Sequence, residues 1–281
     1  MKANTSILIL ALPALLFTIV ACKSREDSSE VKDGSGGMVG HSTAPLYNVQ
    51  ENWPGDCKTG SRQSPIALHT SHIAQVARSS SLKFEFKPVV TKVVDDGHSI
   101  KASVISGASS LNLDTVDFDL LQFHFHETSE HSLNNEMFDG EIHFVHKERN
   151  GNGLLALGLF LQESAKGAQS GLEDFFTTLP AVQQNAQGAQ HNGSGHGESE
   201  LLPSIQIDPS SIVKAGNNYI VYNGSLTTPP CAETVTHMVA TLPVPVSPKT
   251  LAKLRAYHSK TNRKMQLLNT DEIRDFRTTR R

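Results

Sequence analysis

The sequence predicts a sheet-dominated single domain, mainly β with short helices. Three observations carry this. From His41 onward the 281-residue chain breaks into short β-like runs separated by turn residues. Only Gly171 to Leu179 and Pro248 to His258 have a helical pattern, and no repeat period appears. With 38% hydrophobic residues and a formal net charge of -3, the chain has enough apolar material for a substantial core, and nothing in its charge balance points to nucleic acid.

Taken in order, the first element is a targeting segment. Lys2 precedes an apolar run from Ile7 to Val20, too short and too early for a membrane span, so residues 1–21 read as a signal peptide and stand outside the fold. The end of the run, Ile19-Val20-Ala21-Cys22, resembles a bacterial lipoprotein signal, which makes Cys22 a lipidation site and the mature N-terminus. The alternative is a conventional secretory peptide with an incidental cysteine. Either way the chain is expected to be exported to the periplasm or cell envelope, touching the membrane only through a lipid anchor at Cys22. More than one acyl chain is needed for stable anchoring, at about 0.8 kcal/mol per buried CH₂. Residues 22–40 are Ser, Asp, Glu, Lys and Gly with little to bury, and read as a flexible tether.

The domain is expected over residues 41–281. Its strand-like runs include Leu82 to Phe86, Ile100 to Ile105, Leu120 to His126, Glu141 to His146, Leu154 to Leu161, Tyr219 to Tyr222 and Thr234 to Leu242. A polar low-complexity insertion occupies 181–200, where His191 and His196 read as solvated loop residues. Of three cysteines, reserving Cys22 for lipid leaves Cys57 and Cys231 as a candidate disulfide in an oxidising compartment. Such a bridge would stabilise the fold by roughly 4 to 5 kcal/mol on the chain-entropy argument. The other reading is two buried thiols that never meet.

Two of these runs carry the chemistry. In a strand from Leu120 to His126, Gln122, His124 and His126 share one face while Phe123 and Phe125 enter the opposite layer. Two imidazoles then stand side by side on one wall, which suits zinc. In Glu141 to His146, Glu141, His143 and Val145 share a face, while Ile142, Phe144 and His146 take the other. His143 can thus meet His124 and His126 across a strand spacing of about 4.8 Å. Three neutral imidazoles leave a fourth tetrahedral position for water, the arrangement of a catalytic zinc. Gln122 and Glu141 each precede a ligand by two residues and can accept its second imidazole N–H.

His124-x-His126 followed by Glu130 also resembles the cupin core, but Phe118 and Met137 stand where cupins carry glycine, and no second cupin motif follows. A different family fits better. Tyr222-Asn-Gly-Ser-Leu-Thr-Thr-Pro-Pro-Cys-Ala-Glu233, with the two histidine strands, Gln63-Ser-Pro-Ile66, Gly97-His98, Ser129-Glu-His131 and Leu157-Gly-Leu-Phe-Leu161, closely resembles the α-class carbonic anhydrases, in the family's order over roughly Trp53 to Gln266. The resemblance implies a ten-stranded, mostly antiparallel twisted sheet with zinc at the base of a cleft, and reversible hydration of CO₂ to bicarbonate. Cys57 and Cys231 match the disulfide of exported bacterial members.

Carried over residue by residue, the resemblance makes His124, His126 and His143 the zinc ligands. Thr227 orients the zinc-bound hydroxide, and Glu130 accepts the Thr227 proton. A carboxylate that only accepts forces the threonine hydroxyl to donate to it. Zinc lowering the pKa of water to about 7 is a known property of carbonic anhydrases, not a magnitude obtained from this sequence. His98 becomes the proton shuttle, although a turn histidine is otherwise read as merely solvated. The substrate wall comprises Val145, Ala156, Leu226, Thr228, Val235 and His237. Here the chain departs from the family: His237 replaces a tryptophan and Ala156 a valine, implying a wider and wetter pocket. Asp96 and Lys101 replace amides near His98, Glu127 replaces a tryptophan, and Lys264 a proline. Two other readings stand beside the enzyme: a catalytically silent surface-binding module, against which all three ligands are retained, and a periplasmic zinc-binding protein, for which only the 181–200 histidines speak.

Overall fold

The computed structural model describes Tyr47 and residues 49–73, 81–165, 171–181, 199–213, 216–267 and 274–277. The expected signal peptide, Cys22, the tether and residues 182–198 of the insertion lie outside these. Ser199 and Glu200, the last two residues of the expected insertion, are the start of a strand.

Fourteen strands are formed among the described residues. The first seven are β1 Ala67–Leu68, β2 Leu82–Glu85, β3 Val89–Asp95, β4 Ile100–Ser106, β5 Ser110–Leu113, β6 Val116–His126 and β7 Ser132–Leu133. The remainder are β8 Gly140–Glu148, β9 Leu154–Glu163, β10 Ser199–Ile207, β11 Asn218–Gly224, β12 Val235–Ala240, β13 Val244–Val246 and β14 Arg274–Arg277. Twelve join one sheet, running β10-β3-β4-β6-β8-β9-β12-β11-β14, with β13 on β9 and the β2–β5 pair joined to β6. The family resemblance implied ten. As expected, most pairings are antiparallel; β9 pairs in parallel with β12 and β13. Besides the two anticipated helices, Gly171–Thr178 and Pro248–Tyr257, there are single helical turns at Asp56–Thr59 and Thr70–Ile73.

The sheet has two differently used faces. Phe123 and Phe125 of β6, with Ile142, Phe144 and His146 of β8, lie on the core side. There Leu172, Phe175 and Phe176, spaced to fall on one helix face, close over them. Phe175 packs on Phe123 and Phe125 with ring centroids 5.4 and 5.5 Å away. Each such buried aromatic contributes about 1.5–3 kcal/mol, fixing which way these strands face.

One irregularity corrects the expectation of uninterrupted alternation from Leu120 to His126. The β6–β8 register slips between Leu120 and Gln122, leaving Leu121 as an extra residue that is 42% exposed. This bulge puts Leu120 in the core on the same side as Phe123. It also restores Gln122, His124 and His126 to the opposite face. The helix Pro248–Tyr257 starts from a Ser247 cap that accepts from the Thr250 N–H, and delivers residues 258–263 to that second face.

Candidate metal centre

Strand register builds the site. Lys101 of β4, His124 of β6, His143 of β8 and Gly158 of β9 are aligned in one row across the sheet. The adjacent rows carry Gln122, Val145, Ala156 and His237 on one side, and His126, Glu141 and Phe160 on the other. The three expected ligands therefore cluster, with ring centroids 4.9 Å apart for His124 and His126, 5.3 Å for His124 and His143, and 4.7 Å for His126 and His143.

Each ring is oriented by a different partner. His124 Nδ1 lies 3.0 Å from Gln122 Oε1, and His143 Nε2 lies 2.9 Å from Glu141 Oε1, the two supports read from the sequence. The third comes from the far end of the domain: His126 Nδ1 lies 2.7 Å from the Thr261 carbonyl. No side-chain signal could have revealed it, because the accepting atom is backbone. What remains is Nε2 of His124, Nε2 of His126 and Nδ1 of His143. One nitrogen of each histidine lies within 4.8 Å of those of the other two. His126 Nε2 is buried without a hydrogen-bond partner, and a buried imidazole nitrogen left in that condition fits a metal ion.

The electrostatics suit three imidazoles that could hold a metal ion. Burial pushes His124 well below the usual imidazole range and His126 below it, keeping both neutral with lone pairs available. For His143 burial also works downward, but the Glu141 and Glu130 carboxylates together outweigh it and raise the ring, making it the more basic donor. Glu141 itself is buried, yet His131 and His143 hold its carboxyl well below the ordinary range. Its Oε2 accepts from the backbone N–H groups of Glu130 and His131, both at 2.9 Å. His131 Nδ1 lies 2.7 Å from Glu141 Oε1 and its Nε2 2.6 Å from the Tyr222 hydroxyl, which donates to Ser64. His131, Glu141 and His143 also meet the distance condition for holding a metal. Here, however, Glu141 Oε1 already takes up His131 Nδ1 and His143 Nε2, so this trio serves as a polar support.

Two expectations about neighbouring residues are corrected. The Thr227 to Glu130 hydrogen bond implied by the resemblance is not formed among the described residues. Glu130 Oε1 accepts from the Arg263 N–H at 2.8 Å, while Oε2 has no hydrogen bond and points towards the imidazoles, 3.5 Å from His126 Nε2 and 3.9 Å from His143 Nδ1. His237, expected to widen the substrate wall, is instead 2% exposed. It stacks on Tyr222 at 5.0 Å and its Nε2 lies 2.9 Å from the Ser225 carbonyl, because a small polar ring can reach that acceptor within the buried network. Val145, Leu226 and Thr228 are half-buried, and Ala156 and Val235 are buried.

Thr227 and Thr228 lie in the loop after β11, which is closed by Leu226 N–H to Ala232 and Cys231 N–H to Thr228 hydrogen bonds. A Cys57–Cys231 disulfide anchors this loop. Arg263, buried, donates to the Cys57 carbonyl, Gln63 and the Ser64 carbonyl, tying the same segments to Glu130. His98 stands in the β3–β4 turn, three residues before Lys101, the β4 partner of His124.

The family model for eukaryotic-type carbonic anhydrase matches residues 48–281. The chain belongs to that family. It is 32% identical over 215 residues to a carbonic anhydrase of Nostoc sp., covering 76% of this chain and 75% of the relative. It is also 27% identical over 257 residues to dioscorin dioA3 of Dioscorea japonica, with 91% and 87% covered. The α-carbonic anhydrase of Thermovibrio ammonificans, solved with the inhibitor sulfanilamide, superposes with a TM-score of 0.65 at 29% identity, over 83% of this chain and 91% of that one. This carbonic anhydrase family member thus has the family's sheet, and its three histidines could hold a metal in it.

Proposed function

We propose that the protein catalyses the reversible hydration of CO₂ to bicarbonate and a proton, with zinc held by His124, His126 and His143. The observation that carries this is the convergence of three imidazoles, each with its second nitrogen taken up by Gln122, Thr261 or Glu141. When bound, zinc supplies Lewis-acid activation of water near neutral pH. The protein supplies the rest. Val145, Leu226 and Val235 offer apolar surface for CO₂, with Ala156 beneath them. Thr227 and Thr228 present hydroxyls from the anchored loop, and Thr227 is assigned the orientation of the attacking oxygen. His98 takes the proton released by each turnover and passes it to solvent, as an imidazole can do near neutral pH.

The deciding experiment is stopped-flow CO₂ hydration by the purified protein before and after zinc removal. Activity that disappears with zinc and returns with it is expected, together with inhibition by sulfanilamide. Folded, zinc-loaded protein that hydrates no CO₂ would instead favour a silent binding module. Export and lipid anchoring at Cys22 are proposed on the apolar run Ile7 to Val20 and the Val-Ala-Cys end. Mass spectrometry of the mature N-terminus tests them, an unacylated Cys22 removing the anchor.

A further inference from the structure

We infer that Asp95 and His258 act as a positioning pair for the turn that carries His98. The inference rests on the shuttle reading of His98 and extends it to two residues outside the metal site.

The turn between β3 and β4 is built from aspartates. Asp96 Oδ1 accepts from the N–H groups of His98 and Ser99 at 3.0 and 2.8 Å, and the Asp96 N–H donates to the Ser99 carbonyl at 3.2 Å. These bonds set the local shape of the turn. Asp96 Oδ2 also pairs with Lys101 Nζ of β4 at 3.6 Å, a tie within the same hairpin. Gly97 has a φ of +81°, a conformation glycine adopts without strain, and its N–H donates to Asp95 Oδ1 at 2.8 Å.

Asp95 reaches beyond the hairpin. The same Oδ1 lies 2.8 Å from Nε2 of His258, which is buried just past the helix Pro248–Tyr257. His258 is itself held by its N–H bond to the Leu254 carbonyl. Three residues later, Thr261 presents its carbonyl to His126, and between them the Lys260 N–H donates to Glu127 Oε2 at 2.9 Å. Arg255 pairs with the other Glu127 oxygen at 3.2 Å. One short segment, residues 255–261, therefore grips the strand end bearing His126 at Glu127 and the His98 turn at Asp95. It sets the spacing between metal ligand and shuttle without contacting substrate.

Proton transfer through a side chain or an intervening water requires hydrogen-bond reach, so a hairpin tip that sways by an ångström loses transfer rate while the chemistry on CO₂ is untouched. The two steps separate kinetically. The proton leaves after bicarbonate has gone, so its rate enters kcat in weak buffer but not kcat/KM for CO₂.

The test measures both parameters for His258→Leu, Asp95→Ala and the double variant, with His98→Ala as reference and zinc content matched. Expected is a roughly threefold to tenfold fall in kcat in weak buffer with kcat/KM nearly unchanged, recovery in concentrated imidazole, and His258→Gln retaining most of kcat through its amide donor. The double variant should lose no more than Asp95→Ala alone. If kcat and kcat/KM fall together, or if His98→Ala slows kcat while neither partner variant does, the positioning role is overturned. A His98→Ala enzyme with undiminished kcat in weak buffer removes the shuttle reading, and this inference with it. Should His258→Leu fail to fold, Asp95→Ala and His258→Gln give the same split.

Discussion

Gly158 stands opposite His143 across the β8–β9 pairing, and a Cβ there would come within 2.8 Å of the Glu141 oxygen that holds the His143 ring. That oxygen cannot move aside freely, because His131 and His143 both engage it. Gly158→Ala should therefore tilt Glu141 and His143 together. The expected result is a zinc affinity lower by about tenfold to a hundredfold in chelator competition, with a folded protein by circular dichroism.

The two carboxyl or amide supports should differ in weight. Glu141 faces four donor groups in a fully buried place, and an amide offers only one accepting oxygen to meet them. Gln122 supports His124 through a single contact, at a residue less enclosed than His143. Glu141→Gln is expected to weaken zinc binding roughly a hundredfold and Gln122→Ala about tenfold. Equal losses in a metal-competition titration would contradict the burial argument.

Much of this site is legible in the chain because strand alternation is a local rule. Gln122, His124 and His126 on one face, His143 and Glu141 on the next strand, and Phe123 and Phe125 behind them follow from a period of two and from apolar burial. The bulge at Leu121 is not legible, since Leu suits either a paired or an extra position and the slip is set by the partner strand. Thr261 could not be found, because its contribution is a carbonyl that every residue possesses. His237 departs from the family's pattern, but its destination depends on the Ser225 carbonyl and Tyr222, which only the assembled sheet brings near.

His146 provides a pH signature remote from the metal. It lies on the core face of β8, stacked near Phe86, and burial pushes it down to about 4 although hydrogen bonding to the Phe144 carbonyl acts upward. Its folded pKa is below the unfolded value near 6.5, so its contribution is complete above pH 6.5 and is lost as pH falls towards 4. Over that window the loss is about 3 kcal/mol, since the unfolded chain binds a proton that the folded chain refuses. Urea unfolding of His146→Leu should show a correspondingly shallower decline than the parent protein between pH 6.5 and 4.

The disulfide spans 174 residues of sequence and anchors the Thr227 loop rather than the histidine strands. Replacing both cysteines by serine should cost roughly 4 to 5 kcal/mol, lowering Tm by on the order of 10 °C. Zinc affinity should change little, while CO₂ turnover falls as the loop loosens. A variant that loses zinc affinity in parallel with stability would place the loop's influence on the ligands themselves.

The reach from His126 to Thr261 has a consequence for biosynthesis. The two residues are 135 apart, and Glu130 likewise waits for Arg263, 133 residues later. A nascent chain that has emerged past His143 already carries all three imidazoles, yet the carbonyl that selects the productive tautomer of one of them is still unmade. Capture of the proposed metal in its final geometry therefore waits until synthesis has passed Thr261 and Arg263.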